Sequence, residues 1–168
     1  ASFDIVAIHN LDMSAEEAAY LIKYDSVHGA FHENEISYKD DSIVISNVKF
    51  IKMFNEKDPT VLPWKDLGVD LVLECTGAFT STEKAGLHLT AGAKKVLISA
   101  PGKDEMLTIV NGVNDDKLTG GETVVSASSC TTNCLAPLLK IIEDNFGIEK
   151  GFMSTVHAYT ADQNAMDN

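Results

Sequence analysis

Arginine is absent from these 168 residues. All 13 basic side chains are lysines, set against 25 carboxylates, for a formal net charge of −12. Arginine is the usual bidentate reader of phosphate and guanine. An acidic chain without it is poorly suited to nucleic acid or to an anionic membrane surface, so neither is expected as a partner. Long apolar runs are missing too, and no stretch approaches the roughly 18 apolar residues that would suggest a membrane-spanning helix. The opening Ala1-Ser2-Phe3-Asp4 lacks the basic and apolar regions of a secretion signal. Cysteine is sparse, with only Cys75, Cys130 and Cys134. An odd, sparse set makes no disulfide framework and points to a reducing, cytoplasmic compartment. The spacing of Cys130 and Cys134 and the scattered histidines match no zinc-site pattern, so no metal is expected. Internal repeats and low-complexity stretches are also lacking.

What is present is an ordinary globular composition, 45% hydrophobic and 23% charged, which suffices for a core and argues against disorder. Asp4 to His9 reads as a short strand too apolar to be solvated on one face, which suits a parallel sheet. Ser14-Ala15-Glu16-Glu17 is a capping box that starts a helix running to about Tyr24. Asp41 to Phe54 looks like two strands turning near Asn47, and Asp58-Pro59 and Pro63 punctuate a loop. Val69 to Cys75 is a second buried strand, Thr80 to Glu83 can cap a helix, and Lys95 to Ser99 is a third strand. Leu107 to Val110 and Thr123 to Ser126 add two more. Strand, helix and strand at this spacing predict βα units and a parallel sheet, whose ligands bind beyond the carboxyl ends of the strands. Those ends are His9-Asn10-Leu11, Cys75-Thr76-Gly77, Ser99-Ala100-Pro101 and Ser126 to Cys130.

The most unusual stretch is Ser126-Ala127-Ser128-Ser129-Cys130-Thr131-Thr132-Asn133-Cys134. After it, Leu135, Leu138, Leu139, Ile142 and Phe146 fall on one helical face. Cys130 therefore stands at a strand-to-helix turn, where unpaired N–H groups and the helix dipole favour a thiolate. The alternative is a small buried side chain flanked by capping hydroxyls. Packing is the preferred reading for Cys134, inside the helix, and for Cys75, in its strand. A thiol nucleophile needs a base, which need not be near in sequence. His157 lies in the strand-like run Phe152 to Thr160 and is a candidate, set against a purely structural histidine on a strand face. His9 ends a strand and could line a ligand site. His28, His32 and His88 look like loop or helix-surface residues.

The run Ser129-Cys130-Thr131-Thr132-Asn133-Cys134-Leu135-Ala136-Pro137, followed by His157-Ala158-Tyr159-Thr160, closely resembles the phosphorylating glyceraldehyde-3-phosphate dehydrogenase family. Leu21 to Gly29, Glu74 to Phe79 and Lys94 to Pro101 agree with it, so the resemblance covers essentially the whole chain. It implies an NAD-dependent enzyme of glycolysis that takes a small phosphorylated aldehyde and inorganic phosphate. By that resemblance Cys130 is the nucleophile and His157 its base. Ser129 and Thr131 match positions that hold the attacking phosphate, and Thr160 one that holds the substrate phosphate. Leu11, Thr76, Gly77, Phe79 and Ser99 match positions around the cofactor. Asn10 replaces the usual ribose-binding aspartate and carries no charge to repel a 2′-phosphate, which leaves NADP open beside NAD. Lys57 stands where many relatives have an arginine near the adenosine.

The implied fold is α/β: a Rossmann-like, mostly parallel sheet lacking its first strand and G-x-G-x-x-G loop, followed by the start of an α+β catalytic domain. Residues 1–129 would be the partial cofactor domain and 130–168 the opening of the catalytic domain. The expectation is an internal piece of a larger enzyme, inactive alone and homotetrameric when complete. The neighbouring reading within the superfamily is an erythrose-4-phosphate dehydrogenase. A reading from another class is a folded binding module without chemistry.

Overall fold

The computed structural model describes residues 3–25, 27–32 and 34–160. Ala1, Ser2, Ser26 of the Leu21–Gly29 stretch, and the closing Asp167-Asn168 lie outside the described residues. Strand β1 (Ala7–His9) runs parallel to β6 (Lys49–Phe54), which pairs antiparallel with β5 (Ser42–Ile45), itself antiparallel to β4 (Ile36–Lys39). Between β5 and β6, Ser46 and Asn47 take left-handed φ of 52° and 57°, a conformation that asparagine tolerates better than most residues. In β6, Ile51 and Met53 alternate inward while Phe50 and Lys52 face out.

Helix α1 (Ala15–Lys23) begins with the expected capping box. Ser14 Oγ accepts from Glu17 N at 3.2 Å and Glu17 Oε2 accepts from Ser14 N at 2.8 Å. Ala15, Ala18 and Ala19 recur on one face and pack on Ile36, Ile43, Ile51 and Met53. Between α1 and β4 a small hairpin forms from β2 (Tyr24–Asp25) and β3 (Gly29–Ala30).

The second half is a βα unit. Strands β7 (Leu71–Glu74), β8 (Lys95–Ile98) and β9 (Val124–Ser126) are parallel in that order, with α2 (Thr82–Thr90) crossing between β7 and β8. Ser81 caps α2 by accepting from Lys84 N at 3.3 Å. Ala85, Val96, Ile98 and Val124 form its core. Gly92 ends the α2 turn at φ 105°, where a Cβ would lie 2.4 Å from the Lys65 Cβ, so only glycine fits. Around Trp64, the residues Leu62, Val69, Ala91 and Ala93 are packed by Val6, Ala7 and Phe54, which joins the two halves.

Several expectations need correction. Cys75 lies one residue beyond β7 and is exposed, as are Cys130 and Cys134, so packing explains none of the three. Strand β7 is not covered on both faces, since Leu71 and Leu73 are exposed. Leu107 to Val110 forms only the isolated bridge Thr108↔Ser126. Residues 152–160 make no strand and are exposed throughout. His88 is not a surface residue but is 2% exposed. Helix α3 (Cys130–Phe146) has the expected apolar stripe, yet none of its residues is buried.

Candidate active site

The cysteine turn is built from backbone geometry outward. After β9, Ser128 takes φ 67°, and its N–H donates to Ser126 Oγ at 3.0 Å. Ser129 then caps α3, its Oγ accepting from Thr132 N at 3.0 Å. Asn133 Nδ2 donates to the carbonyls of Ala127 (2.7 Å) and Ser129 (2.9 Å), clamping the turn from inside the first helical turn. Sequence reasoning missed this role, although an asparagine just inside a helix start is a frequent partner for backbone carbonyls. Cys130 is the first residue of α3, with its sulfur where the N-terminal dipole favours negative charge.

His157 Nε2 lies 3.3 Å from Cys130 Sγ. Its Nδ1 is 2.5 Å from the Ala158 carbonyl, which only accepts, so Nδ1 carries a proton and Nε2 faces the sulfur. The thiol is held below its ordinary range, by the His157 hydrogen bond first and then by the Thr131 hydroxyl. The imidazole is raised, by its bond to Ala158 first and then by Cys130. Both shifts favour a thiolate–imidazolium pair. Thr131 follows Cys130 in the first turn of α3, Ser129 precedes it as the cap, and Thr160 lies farther along the exposed segment that carries His157.

The other candidate residues gather at strand ends. Asn10 follows β1; its Oδ1 accepts from Asp12 N (3.0 Å) and its carbonyl accepts from Asn55 Nδ2 (2.6 Å). Leu11 and Lys57 are exposed near it, Lys57 following Glu56, whose carbonyl accepts from His9 Nε2 at 2.6 Å. Thr76 and Gly77 form the turn after β7, with Gly77 at φ 75° and nothing within 4 Å of a Cβ position. Phe79 packs edge-on against His88, and Ser99 N donates to the Glu74 carbonyl at 3.0 Å. Ser126 Oγ donates to the Ala100 carbonyl at 2.7 Å, tying the end of β8 to the strand that leads to Cys130. Thr76, Gly77, Ser99 and Cys130 therefore stand at successive carboxyl ends of one parallel sheet, while Asn10, Leu11 and Lys57 stand at the end of the other. Among the described residues no cluster of His, Cys, Asp or Glu could hold a metal ion, and no helix is long and apolar enough to cross a membrane.

Residues 1–82 match the family model described as glyceraldehyde 3-phosphate dehydrogenase, NAD binding domain, and residues 129–168 match that of its C-terminal domain. The chain belongs to the glyceraldehyde-3-phosphate dehydrogenase family. It is 56% identical over 164 residues to the glyceraldehyde-3-phosphate dehydrogenase of Clostridium acetobutylicum, an overlap of 98% of this chain and 48% of the relative. The enzyme of that name from Mycolicibacterium smegmatis is 52% identical and that from Thermotoga maritima 49%, each over 98% of this chain and 48% of the relative. The chain spans about half the length of these curated relatives. Its half with β7, β8 and β9 carries the parallel, helix-crossed sheet of the Rossmann type.

Proposed function

We propose that the complete protein is a glycolytic, NAD-dependent dehydrogenase that oxidises glyceraldehyde 3-phosphate to 1,3-bisphosphoglycerate. The observation that carries this reading is the 3.3 Å contact between Cys130 Sγ and His157 Nε2 at the start of α3. Residues 1–129 serve the cofactor and 130–168 open the catalytic part. Alone, these 168 residues neither bind NAD tightly nor turn over substrate. The reading includes a homotetramer in the cytoplasm.

Each chemical step follows from a group in place. The Cys130 thiolate gives its electron pair to the aldehyde carbon, and the carbonyl oxygen takes the proton of the His157 imidazolium, forming a thiohemiacetal and leaving His157 neutral. His157 then removes that oxygen's proton as the C–H bond breaks, leaving a thioester on Cys130. Bound NAD supplies the acceptor for the departing hydride. Inorganic phosphate attacks the thioester carbon and the thiolate leaves, giving the acyl phosphate and restoring the nucleophile. Ser129 and Thr131 flank Cys130 and hold the attacking phosphate, and Thr160 holds the phosphate of the substrate. The cofactor fits the strand ends because Gly77 leaves its backbone open to close approach. Thr76, Phe79 and Ser99 line that side, and Asn10, Leu11 and Lys57 the adenosine side. Asn10 brings no negative charge, so NADP is a second acceptor to compare.

The test is NADH formation by the complete protein with glyceraldehyde 3-phosphate and with erythrose 4-phosphate, each with and without phosphate. Continued turnover of the first aldehyde only when phosphate is present, and a single burst without it, is the expected result. Preference for erythrose 4-phosphate supports the neighbouring dehydrogenase instead. No NADH with either aldehyde leaves a binding module without chemistry.

A further inference from the structure

A second histidine, which the reaction does not use, sits in a buried chain of hydrogen bonds. Trp64 Nε1 donates to His88 Nδ1 at 3.0 Å, and His88 Nε2 lies 3.0 Å from Glu74 Oε2. Trp64 and Glu74 are each 4% exposed and His88 2%. An indole N–H only donates, so His88 Nδ1 must accept. The ring proton is then on Nε2 and is donated to Glu74. The other carboxylate oxygen, Oε1, accepts from Thr76 N at 2.8 Å and from the Thr76 hydroxyl. Thr76 Oγ1 accepts in turn from Ala78 N at 3.1 Å. Donors therefore converge on one carboxylate from both sides, from Trp64 through His88 and from Ala78 through Thr76.

The position of this carboxylate gives the chain its consequence. Glu74 is the last residue of β7, and its hydrogen bonds shape the Thr76–Ala78 turn, which contains Gly77. Its own carbonyl accepts from Ser99 N, and the edge-on ring of Phe79 packs against His88 with centroids 6.0 Å apart. Thr76, Phe79 and Ser99 thus each touch Glu74 or His88. A buried carboxylate is costly, and an apolar side chain there would pack at lower cost. Burial works against ionisation of Glu74, yet the hydrogen bonds from His88 and Thr76 outweigh it and keep the acid below its ordinary range.

We propose that Glu74 and His88 are positioning residues that, braced by Trp64, preset the Thr76–Ala78 turn and Phe79 for the cofactor. This rests on the assignment of Thr76, Gly77, Phe79 and Ser99 to NAD made above. The arrangement has one polarity. Glu74→Gln still offers an oxygen to Thr76 but turns an N–H toward the His88 N–H, and reversing the imidazole tautomer only moves that conflict to Trp64. His88→Leu removes the donor altogether. His88→Gln restores a donor to Glu74.

In the complete protein, NAD⁺ affinity is measured by titration, beside the KM for NAD⁺, the thermal midpoint and the rate at which iodoacetamide alkylates Cys130. Glu74→Gln and His88→Leu are expected to weaken NAD⁺ binding about tenfold, whereas His88→Gln stays within about twofold. KM for NAD⁺ moves more than kcat, and Cys130 alkylation is unchanged. A lowered thermal midpoint with unaltered NAD⁺ affinity makes the network purely structural and overturns the proposal. Absence of NAD⁺ binding by the unsubstituted protein defeats the cofactor assignment itself, an outcome visible without any substitution. Should a variant not fold, nitrogen NMR of the unsubstituted protein remains. The expected His88 ring is protonated at Nε2 and accepting at Nδ1, and a proton on Nδ1 contradicts the chain as drawn.

Discussion

His88 and His157 place the same ring in opposite settings. His88 is sealed between Trp64 and Glu74, with both nitrogens committed and almost no exposed surface. His157 is exposed, anchored by one nitrogen to its neighbour's carbonyl, and offers the other to a thiol. In the first setting the proton is fixed by donors and acceptors that cannot rearrange independently. In the second the proton can move to sulfur and back, which is what a base must do. Burial and a full set of partners suit a histidine to bracing, and an exposed nitrogen in contact with a thiol suits it to proton transfer.

The largest contrast is expected from the reagent side. Cys130→Ser in the complete protein is expected to lower NADH formation from glyceraldehyde 3-phosphate by at least about 10⁴-fold, with NAD⁺ binding retained in titration. His157→Asn is expected to cost about 10²-fold in turnover, and equal activity would remove the base from the scheme. On the brace side the expected loss is in stability. His88→Leu strands the Trp64 N–H and one side of a buried carboxylate, for about 3 kcal/mol in denaturant unfolding. The corresponding His157→Leu leaves the unfolding midpoint unchanged, because that ring is solvent-exposed. If the two substitutions cost the same, the contrast between them fails.

A smaller effect is expected in acid. Glu74 has a folded pKa below its ordinary value, so its contribution is fully present above the ordinary carboxylate range. That contribution is lost as pH falls through the lowered folded value. Glu74→Gln is expected to flatten the acid limb of the stability curve, and an unchanged limb would show that other carboxylates set it.

The same contrast marks what could be read from sequence. The cysteine turn was legible because its signals are local: a strand, a run of hydroxyls, then an apolar helical stripe. The capping box at Ser14 and the hairpin turning near Asn47 are local in the same sense. His88 was not legible, because its partners Trp64 and Glu74 lie 24 and 14 residues away and reach it only in the folded chain. Strand β7 ends at Glu74, one residue short of the expected Cys75, and that next side chain is exposed. The Phe152–Thr160 run has strand-forming residues, yet it is not among the strands of the described residues. The antiparallel β4 was missed because its Ile36-Ser37-Tyr38-Lys39 pattern buries only Ile36.

The central claim is that Cys130 is poised by His157, and differential alkylation tests it most directly. Cys75, Cys130 and Cys134 are all exposed, so access alone does not separate them. The Cys130 thiol is held below its ordinary range, by the His157 hydrogen bond first, so its thiolate persists to lower pH. Mass spectrometry after brief iodoacetamide treatment near neutral pH is expected to find Cys130 modified well ahead of the other two. His157→Asn is expected to slow that reaction and move its pH inflection upward. Slow, equal labelling of all three cysteines, unaltered by His157→Asn, would contradict the account.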